Sequence, residues 1–186
     1  NREMFGPISL ITDELINFAI NWVDKFQSEQ DGSWYQGKDV TLTQKINGAM
    51  KVITGLEAVG RHSFKYPEKL IDLCLSVTTF SQACNKLDAI YVINKANEFA
   101  IFFVLFLQVS DLCYRWLVNC KEHYFAGIGG FSFYKNRAIQ HYYGAKITKG
   151  LSEPDINGTV LLLWGIALAS EVLGIDKELG FKEFIT

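Results

Sequence analysis

Two aspartates stand where a carboxyl group could do acid–base chemistry. Asp88 and Asp155 both fall in the first turn of predicted helices, so both could project toward one cavity as an acid, a base or a group that stabilises a cation. An acidic side chain near a helix N-terminus also accepts hydrogen bonds from free amides and complements the helix dipole. Catalysis and helix capping are therefore both open for this pair.

The connection from Arg137 to Lys146 is unusually long for a link between helices, and loops of that length are often functional. His141 within it is a third candidate acid–base group. Arg137, Tyr142 and Tyr143 are candidate ligand-binding residues that could form a cavity rim and recognise a polar or anionic group. The alternative for the histidine is a hydrogen-bonded surface residue.

Four aromatic residues could line a lipophilic pocket or stabilise a carbocation over their rings: Tyr91, Trp164, Phe131 and Phe133. Tyr91 and Trp164 fall on predicted helices and are the candidate ligand-binding residues of this set. Aromatic residues at helical spacing also bury large apolar areas in protein cores. Core packing is therefore the alternative for both.

Six predicted helices must position these side chains. Apolar periodicity predicts helices over 11–26, 43–59, 86–96, 98–120 and 155–173, and one more after Pro67 with an apolar face that extends to Phe80. Asn85 is expected to cap the helix that begins at Lys86. No string of residues alternates between polar and apolar long enough to require a sheet.

The order helix, glycine-aromatic turn, helix occurs twice in the chain. One turn lies around Gly32-Ser33-Trp34, and the other around Gly130-Phe131-Ser132-Phe133. A recurring unit of this kind is typical of stacked helical arrays, in which each hairpin buries its apolar face against its neighbours. Gly48 and Gly55, two turns apart on the second helix, would let another backbone approach closely.

At these turns the sequence resembles the terpenoid cyclase and protein prenyltransferase superfamily. The string Gln30-Asp31-Gly32-Ser33-Trp34 is similar to its glutamine–tryptophan repeat, Gly129-Gly130-Phe131-Ser132-Phe133 to its Gly-Gly-Phe turn, and residues 155–159 leading to Trp164 to the start of an inner helix. The resemblance implies an all-α fold, an α/α toroid-like array of about three helical hairpins. Helices beginning near Thr43, Lys86 and Asp155 would be inner and would surround a shared cavity.

Three hairpins amount to about half of a closed ring, so the resemblance implies a partial toroid. We expect residues 1–186 to form a single domain, which could be a fragment of a longer chain. A half ring cannot enclose a substrate away from water by itself. An upstream segment or a second copy of the chain would complete the wall.

The chemistry of the superfamily depends on motifs that differ here. The sequence contains neither the Asp-x-Asp-Asp nor the Asp-Asp-x-x-Asp motif of terpene cyclases. The zinc-binding Asp-x-Cys pair of protein prenyltransferases is matched superficially by Asp111-Leu112-Cys113, which lies in a predicted outer helix, whereas the inner stretch has Ile90 where the thiolate is needed. Because zinc requires about four placed ligands, we expect no metal site and no cofactor.

Charge and composition limit the partners and the compartment. A net charge of -2 gives no global reason to expect nucleic acid or an anionic membrane as a partner. The most apolar stretch, 99–107, is interrupted by Gln108 and is too short to span a bilayer. The four cysteines show no paired spacing, which favours free thiols and a cytoplasmic location.

Two classes of function fit these observations. The first is an isoprenoid-type lyase or transferase module that acts on or binds an apolar small molecule, with Asp88, Asp155 and His141 as acid–base groups. The second is a non-catalytic binding or assembly domain on the same scaffold, with either a filled centre or an exposed apolar groove that a partner covers.

Overall fold

A computed structural model describes residues 13–79, 82–98 and 103–180, with the backbone alone for 103–106. The described residues form seven α-helices: α1 (Asp13–Val23), α2 (Leu42–Ala58), α3 (Pro67–Leu75), α4 (Ala83–Asn97), α5 (Phe103–Cys120), α6 (Ile156–Val172) and α7 (Asp176–Leu179). Short 3-10 helices, Asp24–Phe26 and Lys121–His123, follow α1 and α5. Strands β1 (His141–Tyr142) and β2 (Ala145–Lys146) pair in one small antiparallel hairpin.

The all-α prediction is confirmed for the described residues, and most helix bounds agree within two residues. The third helix is shorter than predicted, because the Ser76 hydroxyl donates to the Leu73 carbonyl at 2.6 Å and α3 ends at Leu75. Phe80 and residues 99–102, which the predicted third and fifth helices include, lie outside the described residues. Within the described part of the chain, every helix is too short or too polar to cross a membrane.

The start of α4 corrects two predictions. The helix begins at Ala83 after Gln82, so Asn85 is not its cap and Asp88 lies in the second turn rather than the first. The reason is a tertiary contact: the Ala83 amide donates to the Phe133 carbonyl at 2.9 Å, and Gln82 forms a bridge with Tyr134. Capping therefore does not explain Asp88.

Helix α4 is the centre of the fold. It packs against α2 on one side and α6 on the other, and also contacts α3 and α5. Helices α3 and α5 contact each other, and α5 contacts α6. Because α4 contacts four other helices, most of its residues are buried, including the polar Lys86, Asp88 and Asn94.

The two repeated turns share a backbone arrangement. Each follows a 3-10 helix and is closed by an antiparallel bridge, Gln27 with Trp34 and Tyr124 with Phe131. In the first turn the Gln27 amide donates to the Gly32 carbonyl at 2.9 Å. In the second the His123 Nδ1 donates to the Ser132 carbonyl at 2.8 Å. The repetition expected from the sequence is therefore present in three dimensions.

Glycines let each turn lie closely against a helix that follows it in the chain, α2 for the first turn and α6 for the second. A Cβ on Gly48 of α2 would lie 3.2 Å from the Trp34 carbonyl oxygen, so the predicted close approach is confirmed there. A Cβ on Gly158 of α6 would overlap the backbone of Ser132 and Phe133. Gly55 has no such neighbour within 4 Å, and the prediction is wrong for that residue.

Gly158→Ala should destabilise the protein, because its methyl group meets backbone that cannot rotate away. We expect the free energy of unfolding in urea to fall by about 1–3 kcal/mol, the usual range for an overpacked core. Gly55→Ala is the matched control on another helix, and it should raise stability by about 0.5–1 kcal/mol. Equal effects at both sites would contradict the packing described here.

Candidate functional site

An apolar groove of about 520 Å³ lies between α1 and α2. Its lining is carbon-rich, with one charged residue at the rim: Leu15, Ile16, Ala19, Ile20 and Val23 from α1, and Lys51, Val52, Gly55, Leu56 and Val59 from α2. Gly55 keeps the floor open because it has no side chain. The volume lies within the range of about 300–1,000 Å³ found for small-molecule sites. The groove can therefore hold a small apolar ligand.

The α1 wall of this groove is only loosely tied to the rest of the protein. No residue of α1 is fully buried, and Phe18 and Trp22 are exposed by 68% and 50%. Trp22 packs edge-on against Phe26, with ring centroids 4.6 Å apart. A helix with so little burial can shift without disturbing the core, which would allow the groove to adapt to its ligand.

Asp88 lies at the interface of α4 and α2, where it is only 5% exposed. Its Oδ2 accepts a hydrogen bond from the Asn47 side-chain amide at 2.7 Å. Burial raises the pKa of Asp88, while the Asn47 bond and the positive charge of Lys51 act in the opposite direction. Lys51 also lines the groove, and its charge acts on the pKa of the buried carboxyl.

Cys84 lies one helical turn before Asp88 on α4. Burial raises the pKa of its thiol, and the nearby Asp88 charge adds to that effect while Lys51 opposes it. Burial also raises the pKa of Tyr142, with smaller contributions from Tyr143 and Cys84. The other three cysteines are buried, and all four are free.

Asp155 has a different environment from Asp88. Its Oδ1 accepts from the Gly158 amide at 2.8 Å and caps α6. Its Oδ2 accepts from the amides of Phe133 and Ile139, at 2.7 and 3.2 Å. Both oxygens thus bind backbone, and the capping alternative accounts for the residue. Its catalytic role stays a prediction.

Tyr91 and Trp164 meet in the interior, with ring centroids 5.6 Å apart in an edge-to-face arrangement. The Tyr91 hydroxyl donates to the Glu57 carboxylate, which also forms an ion pair with Lys95 at 3.1 Å. The Trp164 Nε1 is buried and has no hydrogen-bond partner among the described residues. These contacts are those of helix packing, and neither ring lines the groove.

The remaining candidates lie in or next to the hairpin. His141 and Tyr142 form β1, and Tyr143 is at the tip. The Arg137 guanidinium stacks on the Tyr134 ring, 5.1 Å from its centroid. The structure thus places His141, Tyr142 and Tyr143 in one exposed β-hairpin, and none of these residues lines the groove. Their role in ligand binding stays a prediction.

Sequence reasoning missed several buried polar groups. His123 is buried, and burial lowers its pKa. Its place just before the second glycine-aromatic turn, like that of Gln27 before the first, was the signal available. Lys86 is fully buried, and its ammonium group donates to the side-chain oxygen Oδ1 of Asn119. Burial lowers the pKa of this lysine. A lone lysine inside a helix gives no such signal.

The described residues contain no group of three or more histidine, cysteine, aspartate or glutamate side chains arranged to hold a metal. No protein-family profile, curated protein or solved structure matches the chain. The groove between α1 and α2 and the buried Asp88 are therefore the features from which a function can be proposed.

Asp88→Asn should change how stability depends on pH. The folded pKa of Asp88 is raised above its ordinary value of 3.8. As the pH rises, the unfolded chain therefore loses the Asp88 proton before the folded protein does. The free energy of unfolding falls as the pH rises from 3.8 to the pKa of the folded state. Asparagine cannot titrate, so the variant should gain stability relative to the wild type as pH rises through this window and keep that gain at neutral pH.

Urea unfolding between about pH 4 and pH 8 measures this difference between variant and wild type. Asp72→Asn, at an exposed position of α3, is the control and should follow the wild type at each pH. A difference for Asp88→Asn that stays constant across the range would show that the carboxyl is not titrating abnormally.

Asp155→Ala should remove the acceptor shared by three backbone amides. We expect a loss of about 2–5 kcal/mol in the free energy of unfolding, since one helix cap and two buried amides lose their partner. Asp176→Ala tests the specificity, because Asp176 is in the first turn of α7 and makes no cap bond. A loss below about 1 kcal/mol at Asp155 would contradict its structural role.

Proposed function

We propose that this protein binds an elongated apolar small molecule in the groove between α1 and α2, on a partial α/α toroid of the terpenoid cyclase type. The observation that carries the proposal is the groove itself, with its carbon-rich lining and a volume of about 520 Å³. An exposed concavity of this composition is costly in water unless something covers it. A flexible hydrocarbon chain matches both its chemistry and its size.

The toroid part of the proposal is supported by the order of helix contacts. Helix α4 contacts both α2 and α6, while α3 and α5 contact α4 and each other, and this order of contacts is compatible with the alternation that the resemblance implies. The two repeated turns occupy equivalent places between successive helices. On this proposal α1 is an outer helix and α2 an inner one, so the groove lies between the layers.

Lys51 would determine how the ligand is oriented in the groove. It is the charged residue of the groove, and it is exposed at the rim near Asp88. A ligand with an apolar tail and a polar or anionic head would place the head there. If the domain is also an enzyme, Asp88 is the candidate acid–base group, because it is buried against α2, which forms one wall of the groove, and burial favours its protonated form.

Gly55→Leu tests the proposal, because a side chain at this position enters open space in the groove. Binding of the apolar fluorophore N-phenyl-1-naphthylamine, and its displacement by farnesol, would be measured by titration. Filling the groove excludes about two methylene groups of ligand, so we expect affinity to fall at least about tenfold. Circular dichroism should show an unchanged helix content.

Gly127→Leu is the matched control, since Gly127 also has no neighbour within 4 Å and lies in the second turn. It should bind the probe like the wild type. If the wild type bound neither probe nor farnesol, small-molecule binding would be wrong. If instead the protein self-associated and Gly55→Leu abolished that association in analytical ultracentrifugation, the groove would belong to an assembly domain.

A further inference from the structure

Residues 137–151 form a hairpin that is larger than its two short strands. The Ala138 amide donates to the Leu151 carbonyl and the Ile147 amide to the Gln140 carbonyl, both at 2.9 Å. The base is fixed to the core, because the Ile139 amide donates to the Asp155 carboxylate. The base of the hairpin is therefore firmly held, and Tyr143 at its tip is exposed to solvent.

The residue at the tip is unusual for its conformation. Tyr143 has a φ of 47° and precedes Gly144, whose φ is 83°, in a two-residue loop. Asparagine or glycine is favoured at this first position, and a bulky residue with positive φ is strained. Tyr143 is also 93% exposed, so its ring adds little to the core. An interaction outside the folded chain would explain the residue.

Positive charge is concentrated in the same part of the chain. Residues 123–152 contain four lysines and arginines and no aspartate or glutamate, which leaves fourteen basic and twenty acidic residues elsewhere. Lys135 pairs with Glu122 at 2.9 Å. Lys146 and Lys149 have no ion-pair partner among the described residues and are exposed. The sequence shows no dense basic run, but both of these exposed lysines belong to the hairpin, three residues apart.

Exposed apolar side chains accompany the lysines. Tyr142, Ile147 and Leu151 are exposed by 41%, 43% and 52%. We call the set Tyr142, Tyr143, Lys146, Ile147, Lys149 and Leu151 the hairpin patch. Aromatic and aliphatic groups beside lysines are the composition that favours a membrane–water interface, where rings lie at headgroup level and lysines pair with anionic lipids.

We propose that the hairpin patch docks this protein on an anionic lipid surface. The two paired strands are only two residues long, which is too short for a partner strand to extend the sheet. A lipid surface requires no such pairing. The interaction would be peripheral and weakened by salt, since it depends on screened charges and on a small apolar area.

Cosedimentation with vesicles tests this, using phosphatidylcholine alone or mixed with phosphatidylserine. The protein should pellet with the mixed vesicles at low salt and stay in the supernatant with phosphatidylcholine. Lys146→Glu combined with Lys149→Glu should weaken the partition about twentyfold or more, given the contribution of each lysine at such a surface. Lys38→Glu with Lys177→Glu, at other exposed positions, changes net charge equally and should have a smaller effect.

Tyr143→Asn separates the aromatic contribution from folding. Asparagine suits the turn, so thermal stability should be equal or higher while vesicle binding falls. Tyr114→Asn, at a 63% exposed site on α5, should leave binding unchanged. Equal pelleting with both vesicle types, or equal loss in the two lysine double variants, would overturn the proposal. Binding to polyglutamate but not to vesicles would assign the patch to an acidic protein instead.

Discussion

The carboxylate of Asp155 joins the three segments on which the described architecture depends. It caps α6 through the Gly158 amide, holds the second turn through Phe133, and fixes the hairpin base through Ile139. The carbonyl of the same Phe133 accepts from Ala83 and so sets where α4 begins. One buried side chain therefore determines the position of the central helix and of the projecting hairpin.

The central helix is held in register by polar side chains. Lys86, Asp88 and Asn94 bond to Asn119 of α5, Asn47 of α2 and Glu171 of α6. Burial disfavours the charged form of both ionisable members, lowering the pKa of the lysine and raising that of the aspartate. Such groups add little net stability, but each loses its partner if α4 slides or rotates. They restrict the packing to one arrangement.

The groove and the hairpin patch both expose apolar side chains, but in different surroundings. In the groove, α1 and α2 leave a concavity because Gly55 has no side chain to fill it. At the hairpin, the side chains of Tyr142, Ile147 and Leu151 are exposed to solvent. A concave apolar surface fits a small ligand, whereas a projecting one beside lysines fits an interface. The two proposals therefore depend on different residues and can fail independently.

The sequence by itself determined the features that depend on neighbours along the chain. Apolar periodicity located the helices, and the glycine-aromatic strings located both turns, since turn geometry is set by a few adjacent residues. The N-terminus of α6 was readable because the Asp155 cap bonds to Gly158, three residues on. The grouping of His141, Tyr142 and Tyr143 was also predictable from their adjacency.

Only the tertiary structure decided what depends on distant contacts. Helix α4 begins early because Phe133, fifty residues ahead in the chain, binds its first amide, and this moves Asp88 out of the first turn. A helix buried on all sides has little polar periodicity, so the burial of Lys86 left no trace in the pattern. The groove was unreadable for a related reason: a cavity exists where side chains from two elements fail to meet, and no local pattern records that.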